Sequence, residues 1–182
     1  MISISGFEII IIIYKRSMSK NYLKTNVKFF QRSYNANNVD SYIWRLKAHI
    51  LDKYINQNKK LIILDYGCGE GSNLQYFSKK YQYDCYGVDT SKSALKVCKK
   101  KKIKNLRLIS SKVEENDDFF NKKFDLIISI NTLYYFDKYD LQKRLKSFEN
   151  MLKPNGHVFF TMVSVKSKYF TKCSNRIIDK NS

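Results

Sequence analysis

Three glycines at alternate positions, and the acid before them, are the residues whose types and spacing could do chemistry. The apolar run 61–64 is followed by Asp65 and then by Gly67, Gly69 and Gly71. Because glycine has no Cβ, it adopts positive φ and lets a ligand approach the main chain closely. A polar pair follows that can begin a helix, whose unpaired N–H groups and positive dipole end would face the turn. This stretch predicts a strand, a tight turn and a helix start that together hold a polar small molecule.

A second acid stands at the end of the next apolar segment. Residues 84–89 predict a strand that ends in Asp89, 22 positions after Gly67. A carboxylate at the C-terminal tip of a strand can accept both hydroxyl groups of a ribose, and dinucleotide-binding folds place an acid near this spacing. The alternative is that Asp89 caps the following helix, a role that Thr90 or Ser91 would also serve. We expect ribose binding, because this acid and the glycine turn indicate the same kind of ligand.

The spacing of the glycines separates two classes of nucleotide-binding turn. The dinucleotide fingerprint G-x-G-x-x-G/A would place Ser72 in its third slot, whereas the glycine comes one residue earlier, at Gly71. The pattern acid-x-G-x-G-x-G, which begins at Asp65, resembles the first motif of the class I S-adenosylmethionine (SAM) dependent methyltransferases. This resemblance covers most of the chain, from about Asp40 to Met162.

The resemblance implies an α/β fold with a doubly wound, mostly parallel Rossmann-like sheet and helices on both faces. The residues favour the same fold, because apolar runs alternate with helical patterns. The run 124–130 is almost entirely apolar, as expected for a strand buried on both faces. Residues 153–156 predict a turn before a last strand over 157–163. The family adds a helix and two strands after this point, so we expect a C-terminally short domain whose last strand lies at an exposed edge.

The predicted organisation is one domain with a segment at each end. We expect an N-terminal extension over residues 1–39, partly outside the domain, a SAM-binding methyltransferase domain over 40–163 and a C-terminal tail over 164–182. The apolar run within residues 1–17 is shorter than the roughly 20 residues that a membrane span needs, and it lacks the pattern of a signal peptide. We interpret residues 1–17 as lying outside the functional domain. An early start assignment, with Met18 as the second methionine, and a weak membrane anchor are the two explanations left open.

Apolar residues at helical spacing predict the helices between the strands. The first, capped by Asp40, covers residues 43–54. It resembles the N-terminal helix that lids the cofactor in small-molecule methyltransferases, although an ordinary helix covering the sheet fits equally well. Further helices are predicted over residues 74–81, 94–98 and 141–152. The lysine run 99–102 falls at a helix end, where cations complement the helix dipole.

The resemblance also implies the cofactor, SAM, and the residues that would hold it. Carried over residue by residue, the implied cofactor-binding set is Asp65, Gly67, Cys68, Gly69, Asp89, Thr90 and Asn131. Tyr134 and Tyr135 follow the fourth strand and are the candidate catalytic or acceptor-facing residues, although packing against the next helix fits at least one of them. Where the family often has an adenine-contacting aspartate, this sequence has the segment 111–113, of Ser, Lys and Val.

The implied reaction is direct displacement on the methyl group of a sulfonium, in which proximity and orientation supply most of the acceleration. We expect a small-molecule or glycan acceptor. DNA and RNA amino-group methyltransferases carry an Asx/Ser-Pro-Pro-aromatic signature after the fourth strand, and Pro154 is the only proline in the sequence. Two alternatives stay open: an RNA or protein methyltransferase that uses its basic surface, and a non-catalytic or truncated SAM-binding protein.

The amino-acid composition indicates which kinds of partner and which cellular compartment to expect. The net charge of +18 permits a nucleic-acid or anionic-membrane partner. We do not favour nucleic acid, because the lysines are mostly scattered and greatly outnumber arginine, as in proteins from AT-rich genomes. Four cysteines without a C-x-x-C pair predict reduced thiols and a cytoplasmic location. With His49 and His157 as the only histidines, no metal site is expected. We expect no membrane span. A partner, such as a second copy of the chain, or the N-terminal segment could cover the exposed sheet edge.

Overall fold

The structure is a computed structural model that describes residues 2–4, 7–9, 59–110 and 119–162. Two short strands, β1 (Ile2–Ile4) and β2 (Phe7–Ile9), pair antiparallel near the N-terminus. Five further strands form one sheet: β3 (Ile62–Tyr66), β4 (Asp84–Asp89), β5 (Leu106–Ser110), β6 (Phe124–Ser129) and β7 (Leu152–Phe160). Within these ranges the helices are α1 (Ser72–Tyr81), α2 (Lys92–Lys100) and α3 (Lys138–Met151), and a 3₁₀ turn lies at Leu133–Tyr135.

All four pairings in the five-stranded sheet are parallel, and the strand order is β5-β4-β3-β6-β7. The chain builds outward from β3 to β5 and then returns to the other side of β3 with β6. In open parallel sheets, ligands bind beyond the carboxyl ends of the strands, at the point where the strand order reverses. That point lies between β3 and β6 here. The glycine turn after β3 and the segment after β6 therefore meet at one edge of the sheet.

Apolar residues on both faces of the sheet form the core. Successive side chains of a strand point to opposite faces, so Leu64 packs in the cluster that contains Phe148 of α3, whereas Ile63 packs with Phe77 of α1. Leu95 places α2 on the same face as α1. The predicted doubly wound parallel sheet with helices on both faces is confirmed.

The predicted helices and strands that lie within the described ranges are present in the structure. Their ends differ by a few residues, except at the last strand, where the difference is larger. The turn expected over 153–156 lies inside β7, because the pair Phe124–Leu152 is followed by the pair Leu126–His157. The residues between these two pairs form a bulge, in which Asn155 has a φ of +61°. The strand therefore begins at Leu152 rather than at His157, and α3 ends one residue earlier than predicted.

Several expectations fall on residues outside the described ranges. These are the lid helix over 43–54, the segment 111–113 at the family's adenine contact, Cys173 and the tail 164–182. The domain boundaries therefore stay predictions. No helix in the described part of the chain is long and apolar enough to cross a membrane.

Candidate cofactor-binding site

The glycine turn after β3 takes its shape from hydrogen bonds within the protein. The N–H groups of Gly67 and Cys68 donate to the carbonyl of Val88 at 2.8 and 3.0 Å, and the N–H of Gly71 donates to the carbonyl of Cys68 at 2.9 Å. The φ angles of Gly67, Gly69 and Gly71 are +79°, +53° and +78°. Residues with a Cβ rarely adopt a φ near +78°, so the turn favours glycine at positions 67 and 71. Contacts within the protein therefore define the shape of the turn.

Two of these glycines also mark places where another element approaches the turn closely. A Cβ on Gly67 would lie 2.2 Å from Oγ1 of Thr132, in the segment after β6. A Cβ on Gly71 would lie 2.2 Å from Sγ of Cys98, on α2. The turn is thus packed between the segment after β6 and α2, and glycine is required for space as well as for φ.

Asp89 joins the end of β4 to the glycine turn. Its Oδ2 accepts a hydrogen bond from the N–H of Gly69 at 2.7 Å, and its Oδ1 accepts one from the N–H of Ser91 at 2.7 Å. Burial raises the pKa of Asp89, while the N–H groups of Ser91, Gly69 and Thr90 favour the charged form. A carboxylate has about four acceptor positions, so both oxygens can still accept ligand hydroxyls. The cap of α2 is Ser91, whose Oγ accepts from the N–H of Ala94 at 3.2 Å, so Asp89 is not needed as the cap.

Asp65 is a fully buried acid at the end of β3, next to the turn. Its Oδ2 accepts one hydrogen bond, from Nδ2 of Asn73 at 3.3 Å, and its Oδ1 has no partner among the described residues. Burial raises the pKa of Asp65 to about 7; the Asn73 bond lowers it and the nearby charge of Asp89 raises it. Burying a carboxylate that has so few hydrogen bonds or opposite charges destabilises the folded protein. A ligand that brings a cation or a hydrogen-bond donor to this carboxylate would lower that cost.

The segment after β6 forms the other side of the site. The N–H of Asn131 donates to Oγ1 of Thr161 at 2.8 Å, and that hydroxyl donates to Oδ1 of Asn131 at 3.1 Å. These two bonds hold Asn131 at a φ of +55°, which few residues other than glycine adopt. Ser129 donates its hydroxyl to the carbonyl of Tyr66 at 3.0 Å, which joins the end of β6 to the end of β3. Asn131 therefore lies at the same edge of the sheet as the glycine turn.

Tyr134 and Tyr135 lie in the 3₁₀ turn that follows. Their ring centroids are 4.4 Å apart, and the hydroxyl of Tyr134 donates to that of Tyr135 at 3.3 Å. Both side chains are half-buried, whereas Leu133 beside them is fully buried and anchors the turn to the core. The two tyrosines form one hydrogen-bonded pair next to the segment that carries Asn131.

The structure brings the predicted cofactor-binding residues to one edge of the sheet. Cys68 is buried, and burial raises the pKa of its thiol well above the usual range, which disfavours the reactive thiolate. Sequence reasoning missed Thr132, which packs on Gly67, and Thr161, which holds Asn131. The available signals were the polar segment after the run 124–130 for Thr132 and a polar residue within the predicted strand 157–163 for Thr161. The described residues contain no group of three or more side chains that could hold a metal ion.

Comparison with known proteins identifies the family. The profile of the family described as "Methyltransferase domain" matches residues 63–156. The chain is 36% identical over 104 residues to an uncharacterised protein, RP028, of Rickettsia prowazekii (strain Madrid E), covering 54% of this chain and 41% of that protein. It is 29% identical over 145 residues to a malonyl-[acyl-carrier protein] O-methyltransferase of Priestia megaterium, covering 75% of this chain and 52% of that protein. It is 28% identical over 118 residues to the human mitochondrial arginine-hydroxylase NDUFAF5, covering 65% of this chain and 33% of that protein. The chain thus spans between one third and about half of the length of these relatives.

Solved structures agree with the sequence matches. The structure of PKMT2 from Rickettsia typhi in complex with AdoHcy is 31% identical, with a TM-score of 0.51 over 56% of this chain and 20% of that one. A DhpI complex with SAM superposes over 91% of this chain and 76% of the other with a TM-score of 0.67, and its 12% identity shows the fold alone. The profile match covers more than half of the chain, and the five parallel strands form the doubly wound sheet that the resemblance implied. The chain belongs to the family of class I SAM-dependent methyltransferase domains.

Proposed function

We propose that this protein transfers a methyl group from SAM to a small-molecule or glycan acceptor by direct displacement. The observation that carries the proposal is the hydrogen bond between Gly69 and Asp89, which joins the glycine turn to the acid at the tip of the neighbouring strand. A nucleoside placed against the turn has its ribose hydroxyls beside that acid. The AdoHcy complex of the PKMT2 relative supports the same ligand for this chain.

The site suits a cofactor that is cationic at one end and carries ribose hydroxyls at the other. We assign Asp89 to the ribose hydroxyls, because both of its oxygens retain acceptor capacity. The methionine end of SAM carries an ammonium group. Oδ1 of Asp65 has no hydrogen-bond partner among the described residues, and it is a buried acceptor that such a group would satisfy. Gly67, Cys68 and Gly69 would border the cofactor with their main chain.

When bound, SAM supplies a methyl group on a sulfonium, which needs little further activation. The work of the chain is therefore to bind, orient and exclude water. The glycine turn and Asp89 would fix the nucleoside, and Asn131, held by Thr161, would border the methionine end. We place the hydroxyls of Tyr134 and Tyr135 on the acceptor side. No side chain is assigned as a general base, since the need for one depends on the acceptor atom.

One relative and one feature of the sequence bear on the class of acceptor. The malonyl-[acyl-carrier protein] O-methyltransferase relative favours a small acyl group as acceptor. An RNA or protein acceptor is the second candidate. The observation in its favour is that residues 71–110 carry ten lysine and arginine residues but only two aspartates. The arginine-hydroxylase relative shows that similar sequences also occur in proteins named for another reaction.

One experiment separates these functions. The purified protein is incubated with SAM labelled in its methyl group and with a metabolite extract, total RNA or total protein, and both cofactor binding and label transfer are measured. Transfer to the metabolite fraction is the expected result. Transfer to RNA or to protein side chains would favour the second candidate, whereas label that neutral hydroxylamine releases from a carrier protein counts with the first. Binding without transfer would indicate a non-catalytic SAM-binding protein. Absence of binding at millimolar SAM would overturn the proposal.

A further inference from the structure

Two polar side chains on either side of the last glycine of the turn are bonded to the lysine that ends α2. Nζ of Lys101 lies 3.2 Å from Oε2 of Glu70 and donates to Oγ of Ser72 at 3.1 Å. The hydroxyl of Ser72 donates in turn to Oε1 of Glu70 at 2.6 Å. The three side chains thus close a ring of polar contacts around Gly71. The side chains of Lys101 and Glu70 are only 20% and 15% exposed, so solvent weakens this pair less than it weakens a surface ion pair.

The same helix is bonded to the turn at its other end. Asp89 accepts from the N–H of Gly69 and from the N–H of Ser91, which is the N-cap of α2. Between the two ends, Sγ of Cys98 occupies the space that a Cβ on Gly71 would need. Helix α2 is therefore joined to the glycine turn through Asp89 at its N-cap and through Cys98 and Lys101 at its C-terminal end. The Asp89 contact is part of the proposed cofactor site, whereas the Lys101 contact lies outside it.

Glycine has more conformational freedom than any other residue, and the turn contains three of them within five residues. A turn of this kind samples other conformations unless the surrounding structure restrains it. If only a fraction of molecules has the binding conformation, the apparent affinity for the ligand falls by that fraction. Restraints on the turn therefore strengthen binding without touching the ligand.

We propose that Lys101, through Glu70 and Ser72, is a positioning residue that holds the glycine turn in its cofactor-binding conformation. The proposal rests on the proposed function, since it concerns the affinity of the same site for SAM. Lys100, the neighbouring residue, is exposed and serves as a matched control. It has the same charge and lies in the last turn of α2, where it complements the helix dipole in the same way.

The test compares Lys101→Met, Lys100→Met and Lys101→Arg with the wild type by calorimetric titration with S-adenosylhomocysteine (SAH). We expect Lys101→Met to weaken binding by about 5- to 20-fold, the range between an exposed ion pair and a buried charged hydrogen bond. Lys100→Met should stay within about twofold of the wild type. Lys101→Arg should recover most of the loss, because the guanidinium can also reach Glu70.

Two further measurements separate positioning from a general loss of stability. Hydrogen exchange at the amides of residues 67–72 should be faster in Lys101→Met, with exchange in β4 and β6 unchanged. Glu70→Gln should weaken SAH binding similarly, and adding it to Lys101→Met should cause little further loss, because both remove one interaction. The proposal is overturned if Lys101→Met binds SAH as tightly as Lys100→Met, or if its exchange rises throughout the sheet. If the wild type itself fails to bind SAH, the proposed function fails, which is a different result.

Discussion

Asp65 is an acid with almost no compensation for its burial, so its protonation state depends on pH in the range where proteins work. Burial raises its pKa to about 7, the hydrogen bond from Asn73 opposes that rise, and the charge of Asp89 adds to it. An unfolded aspartate titrates near 3.9. Between these two values the folded protein binds more protons than the unfolded chain. The contribution of Asp65 to stability therefore falls as pH rises from about 4 to about 7 and is level above that.

Replacing Asp65 by Asn removes this pH dependence. We expect the free energy of unfolding of Asp65→Asn, relative to that of the wild type, to increase between about pH 4 and pH 7. The increase is at most about 4 kcal/mol, since each unit of pKa corresponds to about 1.4 kcal/mol. Urea denaturation of both proteins at a series of pH values, without ligand, measures it. A difference that stays constant with pH would show that Asp65 does not titrate in this range.

Asp89 is the residue on which cofactor affinity is expected to depend most. We expect Asp89→Ala to weaken SAH binding by roughly 10- to 150-fold, because charged hydrogen bonds worth about 1.5–3 kcal/mol are lost. Asp84→Ala is the matched control, since Asp84 is the acid at the other end of the same strand, paired with Lys60 at 2.9 Å. Isothermal titration on both variants measures the effect. Equal affinities in the two variants would remove Asp89 from the site.

At the scale of the elements, helix α2 and the glycine turn are fitted to each other at Gly71. An alanine there meets Sγ of Cys98 at 2.2 Å and must adopt a φ of +78°. We expect Gly71→Ala to destabilise the protein by about 2–4 kcal/mol, from the strain of positive φ together with the forced displacement of α2. Adding Cys98→Ala should recover the steric part, about 1–2 kcal/mol, and leave the backbone part. Chemical denaturation of the single and double variants measures both parts. Full recovery in the double variant would show that the positive φ costs nothing.

The elements themselves followed from local sequence patterns. Alternating apolar runs and helical stripes predicted every strand of the parallel sheet and α1, α2 and α3, because hydrophobic periodicity reports which face of an element is buried. The exception was β7, where the turn chemistry of Asn155 and Gly156 indicated a break. In the structure these residues form a bulge within β7 next to Phe124, and pairing with β6 resumes directly after the bulge. Competition between a local turn and a long-range pairing is not visible in the local sequence.

The sequence predicted the site residues that lie at or directly after the ends of strands. It did not predict the side-chain contacts between distant segments. Asp65, the glycines and Asp89 stand directly after or at the end of apolar runs, so the topology alone gathers them. Glu70 and Lys101 are 31 positions apart, and nothing in their own surroundings marks them as partners. The same holds for Asn131 and Thr161, which meet only because β7 pairs with β6. Side-chain contacts between distant segments require the fold before they can be named.

At the scale of the whole molecule, ligand binding and folding are linked. A ligand that binds the folded state alone stabilises it by RT ln(1 + [L]/Kd), about 2.7 kcal/mol at a ligand concentration of 100 times Kd. We expect SAH to raise the midpoint of thermal unfolding in the wild type and to raise it less at the same concentration in Asp89→Ala. Differential scanning fluorimetry with increasing SAH measures this shift, with adenosine monophosphate as a control nucleotide. A wild-type midpoint that does not change with SAH would contradict the proposed site.

The charge of the whole molecule bears on the acceptor rather than on the fold. The net charge of +18 attracts polyanions at low salt, whatever the protein does. Binding that depends on the basic surface should weaken steeply as salt increases, whereas SAH binding in the partly buried site should change little. Whether a second copy of the chain covers an edge of the sheet stays a prediction, and the molar mass in solution tests it.

According to the proposed function, the glycine turn and Asp89 hold two parts of one nucleoside. A crystal structure of this protein with SAH is the direct test. We predict the ribose hydroxyls within about 2.6–3.2 Å of the Asp89 carboxylate, and the remainder of the ligand along the turn between Asp65 and Gly69. Density for SAH at another place on the protein, or no density at millimolar SAH, would contradict the claim.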